Sequence, residues 1–215
     1  MKRFVFAAIL TLILGFSTLS NAALQDNGNG LIYDTDRNIT WYDYTKSADT
    51  WFNQKTWAAN LSVTDVNGTT ITGWRLPTTV DGQGVVGYNG TTTAGYNITT
   101  SEMGHLYYTE LGNKGYYDVN GNSPQPGWGL NNTGPFTNLL PSAYWSGTEY
   151  ALLAGGAWLF YFGDGVQDGG LEGYGLYALA VHSGDVGAPV PIPGAILLFA
   201  PGLVGLAAVR RRLKK

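Results

Sequence analysis

Apolar and polar residues alternate in short bursts along most of this chain, and only two stretches repeat with a helical period. Gly30-Leu31-Ile32-Tyr33-Asp34 and Asn38-Ile39-Thr40-Trp41-Tyr42 are β-prone runs on either side of Asp34-Thr35-Asp36-Arg37-Asn38. The Asp and Asn residues of that link favour a turn, so the two runs predict a hairpin. Ser47 to Leu61 predicts a helix with Trp51, Gln54, Ala58 and Leu61 along one face and Thr50 or Asp49 as its cap. A second helix is predicted over Ser101 to Leu111: Met103, Leu106, Tyr107 and Glu110 share a face, Thr99 and Glu102 have capping-box spacing, and Gly112 can end it. Strand signals return at Ala143 to Thr148, Ala157 to Phe162 and Tyr177 to Val181. Two early helices and several late antiparallel strands imply an α+β domain. Residues 81–99 and 113–135, rich in Gly, Asn, Thr and Pro, are long for connections in a compact domain, and loops of that length are usually functional or mobile.

Both ends break this pattern. Residues 1–22 place Lys2 and Arg3 before the apolar run Phe4 to Leu14 and close on Ser20-Asn21-Ala22, the layout of a secretory signal peptide cut between Ala22 and Ala23. At the other end, Val190-Pro191-Ile192-Pro193-Gly194 precedes an apolar stretch to Val209 and then Arg210-Arg211-Arg212-Leu213-Lys214-Lys215. That stretch is at the short end of what crosses a bilayer, and its basic flank stays cytoplasmic under the positive-inside rule. The expected organisation is a signal peptide (1–22), one domain (23–187) and a membrane-inserting tail (188–215).

Setting the ends apart changes the charge. Seven of the 12 Lys and Arg lie in the terminal segments while all 15 Asp and Glu lie between them, so the domain carries a net charge of about −10. A surface this acidic repels phosphate backbones and argues against nucleic acid. The absence of cysteine removes disulfides, thiolate metal sites and cysteine nucleophiles, leaving packing of the 7 Trp, 14 Tyr and 8 Phe to hold the fold.

The proline pair, short apolar segment and terminal arginines resemble PEP-CTERM sorting signals, in the variant that begins Val-Pro-Leu-Pro-Ala; here Val190, Pro191, Ile192 and Pro193 carry the resemblance. It implies Sec export, signal-peptidase cleavage, a precursor anchored in the inner membrane and processing by an exosortase-type transpeptidase, followed by release to the cell surface or beyond; the alternative reading of the same segment is a plain C-terminal membrane anchor. Within the domain, Gly30-Leu31-Ile32-Tyr33-Asp34, Thr56-Trp57-Ala58-Ala59-Asn60-Leu61, Gly73-Trp74-Arg75-Leu76-Pro77-Thr78, Ser101-Glu102-Met103-Gly104-His105-Leu106 and Tyr144-Trp145-Ser146-Gly147-Thr148-Glu149-Tyr150 look like the Lcl C-terminal domain family. The resemblance implies a fold similar to C-type lectins, with paired N- and C-terminal strands under a long loop region, and an extracellular role that includes polysaccharide binding for some members. Where that family closes its last strand with Val-Arg-Pro-Gly-Asp, this chain has Val181-His182-Ser183-Gly184-Asp185.

Several residues invite a functional reading. Arg75, one of five basic residues in the domain, is expected to pair with Glu102, with ligand binding as the alternative. Trp74, Trp145 and Trp158 read as structural; Trp145 and Trp158 could instead form an exposed platform on which a sugar stacks. Tyr116, Tyr117 and Trp128 are better candidates for that platform, since they lie among turn-formers with no apolar period to bury them. Asp118-Val119-Asn120-Gly121-Asn122 and Asp34-Thr35-Asp36-Arg37-Asn38 begin like a calcium loop, but the twelfth positions hold Gly129 and Thr45 instead of glutamate. Ordinary Asx turns explain them, and no metal or cofactor is expected. Two histidines, His105 and His182, and a pair such as Asp164 and Asp168 make a thin catalytic inventory, so an enzyme is not expected. The expected role is binding of exopolysaccharide or another surface component; the alternative is a structural matrix or adhesion protein with no small ligand.

Overall fold

The structure, a computed structural model, describes residues 23–188. The expected signal peptide including Ala22, the motif Val190-Pro191-Ile192-Pro193 and the C-terminal apolar segment lie outside the described residues. Among the described residues no helix is long and apolar enough to cross a membrane.

The architecture is α+β: a mixed sheet with two short helices. The strands are β1 (Leu24–Gly28), β2 (Leu31–Asp34), β3 (Ile39–Asp49), β4 (Val63–Thr64), β5 (Thr70–Ile71), β6 (Val86–Gly87), β7 (Ala94–Gly95), β8 (Ala143–Glu149), β9 (Gly156–Tyr161), β10 (Val166–Leu171) and β11 (Leu176–Ser183). Helix α1 spans Trp51–Ala59, and α2 (Glu102–His105) runs directly into a π-helical turn, Leu106–Glu110. The main sheet has the order β1-β2-β3-β11-β8-β9-β10-β7-β6, and β4 and β5 form a separate pair.

The hairpin β2–β3 forms where Asp34 Oδ1 accepts the Arg37 amide at 2.9 Å and Asn38 takes the left-handed conformation, φ 52°. Strand β3 runs further than its apolar pattern suggests. Pairing with β11 carries it to Asp49, opposite Leu176, so residues 47–49 are strand and α1 begins only at Trp51. Here tertiary pairing overrides local periodicity. The Thr50 hydroxyl makes no cap; Asp49 Oδ1 instead accepts the Thr50 amide and the Asn53 side chain, both at 2.8 Å. Trp51, Gln54 and Ala58 face inward, and Gln54 Nε2 ties the helix to the carbonyls of Ser47 and Leu176.

The second helix is also capped differently from the sequence expectation. Ser101 Oγ accepts the Gly104 amide at 3.0 Å, while Glu102 turns away to Arg75, so Thr99 and Glu102 make no capping box. Gly112, at φ 62°, ends the π-turn.

The sheet is not purely antiparallel. Strands β11 and β8 run parallel through Tyr177 and Tyr144, and β6 and β7 are parallel as well. Nor do the first and last strands in sequence pair: β11 joins β3, and the Asn27 side chain links β1 to the segment after β11, Nδ2 donating to Asp185 Oδ1 at 2.8 Å and to the Val186 carbonyl at 3.0 Å.

Trp41, Trp145 and Trp158 are fully buried, and Trp74 is nearly so. At roughly 25 cal/mol per Å² of apolar surface, each fully buried indole contributes on the order of 4 kcal/mol, which a chain without disulfides needs. Indole donors are placed too, Trp51 Nε1 on the Ser146 carbonyl at 2.7 Å, Trp145 Nε1 on the Asp49 carbonyl at 3.2 Å and Trp158 Nε1 on the Asp81 carboxylate at 2.8 Å, whereas that of Trp41 has no partner among the described residues. The platform alternative for Trp145 and Trp158 is thereby removed.

A candidate ligand-binding cleft lined by aromatic rings

The two long loops, 81–99 and 113–135, hold each other. Asn97 Nδ2 donates to the carbonyl of Tyr88 and, at 3.1 Å, to that of Tyr117. The ring of Tyr117 packs against Tyr88 and Tyr96, with centroids 4.8 and 5.0 Å away. Within the second loop, Gln125 Nε2 donates to the carbonyls of Gly115 and Tyr117. Lys114 accepts the Gly129 amide at 2.9 Å, and this folds Trp128 back over Tyr116.

The loop is seated on the turn between β9 and β10. The Tyr116 amide donates to the Asp164 carbonyl at 2.8 Å, and Gly115 approaches Gly165 so closely that a Cβ on Gly165 would lie 3.0 Å from the Gly115 Cα and 2.5 Å from Tyr108 Oη. Gly165 has φ +84°, which L side chains rarely adopt, so only glycine fits both the contact and the turn.

These supports bring Tyr116, Tyr117 and Trp128 to one place. They line an open cleft of about 630 Å³ together with Tyr96, Tyr161 and Asp164. Tyr116 meets Trp128 edge to face, centroids 4.9 Å apart at 86°, and meets Tyr117 at 5.2 Å and 74°. Trp128 is 42% exposed and Tyr161 37%, whereas Tyr116 and Tyr117 are half-buried. The cleft thus offers rings whose faces and edges are partly free, beside one carboxylate.

That carboxylate is held in place. Asp164 Oδ1 accepts the Val166 amide at 3.0 Å and Oδ2 faces the Tyr96 hydroxyl at 3.4 Å. Burial pushes the Asp164 carboxyl above its ordinary value, against the opposing effect of the Val166 amide and the Tyr96 hydroxyl. Burial, then the Asp164 charge, raises the Tyr96 phenol, which therefore stays a neutral donor at physiological pH. Two hydrogen-bonding groups and several π-faces can hold a flat, hydroxylated ligand.

Other candidates fall elsewhere. Arg75 meets Glu102 in a two-bond ion pair. Asp168 is exposed on β10 and does not line the cleft with Asp164. In the 118–122 loop the Asp118 carboxylate accepts the amides of Asn120 and Asn122 and the Asn122 side chain, a self-contained Asx turn. A second surface hollow, beside Asp43, is braced by that residue's carboxylate, which accepts the amides of Thr137 and Asn138 and the Thr137 hydroxyl. Sequence inspection missed Tyr96, Tyr161 and Asp164 as cleft residues. Tyr161 sits at the end of an apolar strand run, and only the alternation of buried Phe160 and Phe162 around it hints that it faces out.

Comparison with protein-family models, with curated proteins and with solved structures finds no match to this chain.

Proposed function

We propose that this is an exported, exosortase-sorted envelope or extracellular-matrix protein whose domain binds polysaccharide in the cleft formed by Tyr96, Tyr116, Tyr117, Trp128, Tyr161 and Asp164. The observation that carries the proposal is the convergence of Tyr96, of Tyr116 with Trp128, and of Tyr161, from three separate stretches of chain, on one open hollow with a fixed carboxylate. A pyranose presents an apolar C–H face that stacks on aromatic rings and equatorial hydroxyls that donate to a carboxylate, which is the pairing this cleft offers. The domain's net negative charge favours a neutral polymer over a polyanion. Binding requires no catalytic step and no cofactor.

A C-type-lectin-like fold, in the manner of the Lcl C-terminal domain, is part of the same proposal. Its support is the hairpin β2–β3 joined to the last strand β11, two helices near the middle and long loops gathered around one cleft. Sec export, signal-peptidase cleavage before Ala23 and exosortase processing near Val190 to Pro193 rest on the terminal sequences.

The second reading, a structural matrix protein without a small ligand, draws on the contacts of Tyr88, Tyr96 and Tyr117 with one another, which pack the loops together whether or not a ligand is present. Affinity electrophoresis in gels containing the exopolysaccharide of the producing bacterium separates the two. Binding predicts retardation of the wild-type protein and an apparent affinity about tenfold weaker for Trp128→Ala, or roughly 1.4 kcal/mol. Wild-type migration unchanged by the polymer would leave the matrix reading. Intact-mass measurement of protein from membrane and extracellular fractions tests the sorting: an extracellular form that has lost Arg210 to Lys215 is expected, and recovery of the protein solely as a membrane form that retains them would overturn it.

A further inference from the structure

Outside the aromatic cleft, Asp34, His105 and Glu110 each present one metal-ligating atom, and these three atoms lie within 4.8 Å of one another. Local structure places them there. After α2 the helix widens into the π-turn, closed by the Leu111 amide donating to the Leu106 carbonyl at 2.9 Å. Five residues along a regular α-helix point about 140° apart. The wider turn instead brings positions 105 and 110 to one side, with His105 Nε2 2.9 Å from Glu110 Oε1. Single π-turns inside α-helices are uncommon and recur where side chains must be re-aimed for function.

Asp34 arrives from the far end of the sequence, at the close of β2. Its Oδ1 accepts the Arg37 amide, but Oδ2 is buried and has no hydrogen-bond partner among the described residues. The residue is fully buried, and a donor near its carboxylate, the indole nitrogen of Trp41, opposes the effect of burial but lies outside hydrogen-bond geometry, so Oδ2 and that nitrogen both lack a well-formed bond. Glu110 is almost as enclosed, its side chain 3% exposed. Among the described residues no lysine or arginine pairs with either carboxylate. Burial raises both carboxyls, and for Glu110 the Asp34 charge adds to the effect. Two buried carboxylates and one imidazole therefore converge where their sole ionic partner among the described residues is the imidazole itself.

We propose that Asp34, His105 and Glu110 bind one divalent first-row transition ion of the zinc class, a site independent of the polysaccharide cleft. One imidazole nitrogen and two carboxylate oxygens suit such an ion. Bonds of about 2.0–2.2 Å in tetrahedral geometry put ligand atoms roughly 3.4 Å apart. The separations found here, 2.9 Å at one edge and no more than 4.8 Å, bracket that value. Calcium fits poorly, because it takes six to eight oxygens. A surface hollow of about 480 Å³ is lined in part by Glu110 and by Asp36, two residues from Asp34. The ion would fasten the β2–β3 turn to the π-turn.

The test uses the full chain, purified in mild detergent without a histidine tag, stripped with EDTA and titrated with ZnCl2 and CoCl2 by calorimetry, absorption and thermal unfolding. One equivalent of zinc per chain, a higher unfolding temperature and visible bands of a low-coordinate cobalt centre are expected. His105→Gln and Glu110→Gln should each weaken binding about a hundredfold, with circular dichroism confirming their fold, whereas His182→Gln should bind as the wild type does. Should either variant fail to fold, proton NMR of the cobalt-loaded wild-type and His182→Gln proteins still decides, since a hyperfine-shifted, exchangeable imidazole N–H resonance that survives loss of His182 leaves His105 as the ring ligand. No stoichiometric uptake at micromolar metal, or equal affinity in the folded His105→Gln and Glu110→Gln variants, would overturn the proposal.

Discussion

The guanidinium of Arg75 meets the carboxylate of Glu102 through two hydrogen bonds, 2.8 and 2.7 Å long, and the Thr78 amide donates to the same carboxylate at 2.6 Å. Backbone bonds between Arg75 and Val181, one in each direction at 3.0 and 2.8 Å, fix the other side of this segment to β11. The pair therefore ties the first turn of α2 to the centre of the sheet, and Arg75 has its fork occupied. Glu102→Gln should destabilise the domain by about 1–2 kcal/mol, and Arg75→Lys by about 1 kcal/mol, because an ammonium cannot make both bonds. Urea unfolding of both single variants and the double variant measures the coupling; additive losses would mean that the pair contributes nothing beyond its separate side chains.

Asp164 makes a prediction about pH. Its folded pKa lies above the unfolded value of 3.8, chiefly through burial, so its contribution to stability is full below about pH 3.8 and is lost as pH rises through the folded pKa. Asp118 and Asp49, lowered by hydrogen bonds to Asn122 and Asn53, run the other way and stabilise only above their folded pKa values. The difference between wild type and Asp164→Asn isolates the first effect. The variant should gain stability relative to wild type as pH rises above about 3.8, and a difference that stays flat with pH would contradict the assignment.

Gly165→Ala should lower stability by roughly 2 kcal/mol, a fall in Tm of about 4–8 °C. The added methyl meets Tyr108 Oη at 2.5 Å in a backbone conformation already unfavourable for alanine. Calorimetry checks this, and an unchanged Tm would show that the 113–117 loop can lift from the β9–β10 turn at little cost.

Where local chemistry decides a feature, the sequence reveals it. The 34–38 turn is written in its Asp and Asn residues, and the buried face of α2 in the spacing of Met103, Leu106 and Tyr107. The Arg75–Glu102 pair is visible because so few cations are present to choose from. What depends on distant pairing is hidden. Strand β10, Val166-Gln167-Asp168-Gly169-Gly170-Leu171, carries two glycines and an aspartate, and it is a strand because β9 presents a ladder to it. The start of α1 was displaced by β11 in the same way. For the cleft, Tyr116, Tyr117 and Trp128 stand out as aromatics in a polar loop, whereas Asp164 resembles any acidic turn residue until the turn is folded beneath them. The metal-ligating set was least legible, since it needs a π-turn that no helical periodicity announces.

Gly163 offers a way to disturb the cleft without disturbing the fold. The atoms nearest a Cβ there are at the outer end of the Tyr161 ring, 2.7 Å for Cζ and 2.9 Å for the hydroxyl, and the backbone is not in the left-handed region. Tyr161 is exposed, so its ring can swing away at small cost, but it swings within the wall of the cleft. Gly163→Ala should therefore leave Tm within about 2 °C of wild type while changing retardation in polysaccharide gels several-fold, a separation that Gly165→Ala cannot give. Tyr161→Ala, which removes the ring altogether, should change retardation in the same sense as Trp128→Ala. If both substitutions at positions 161 and 163 leave retardation as in the wild type while Trp128→Ala abolishes it, the ligand contacts the Trp128 side of the cleft and does not reach the β9 wall.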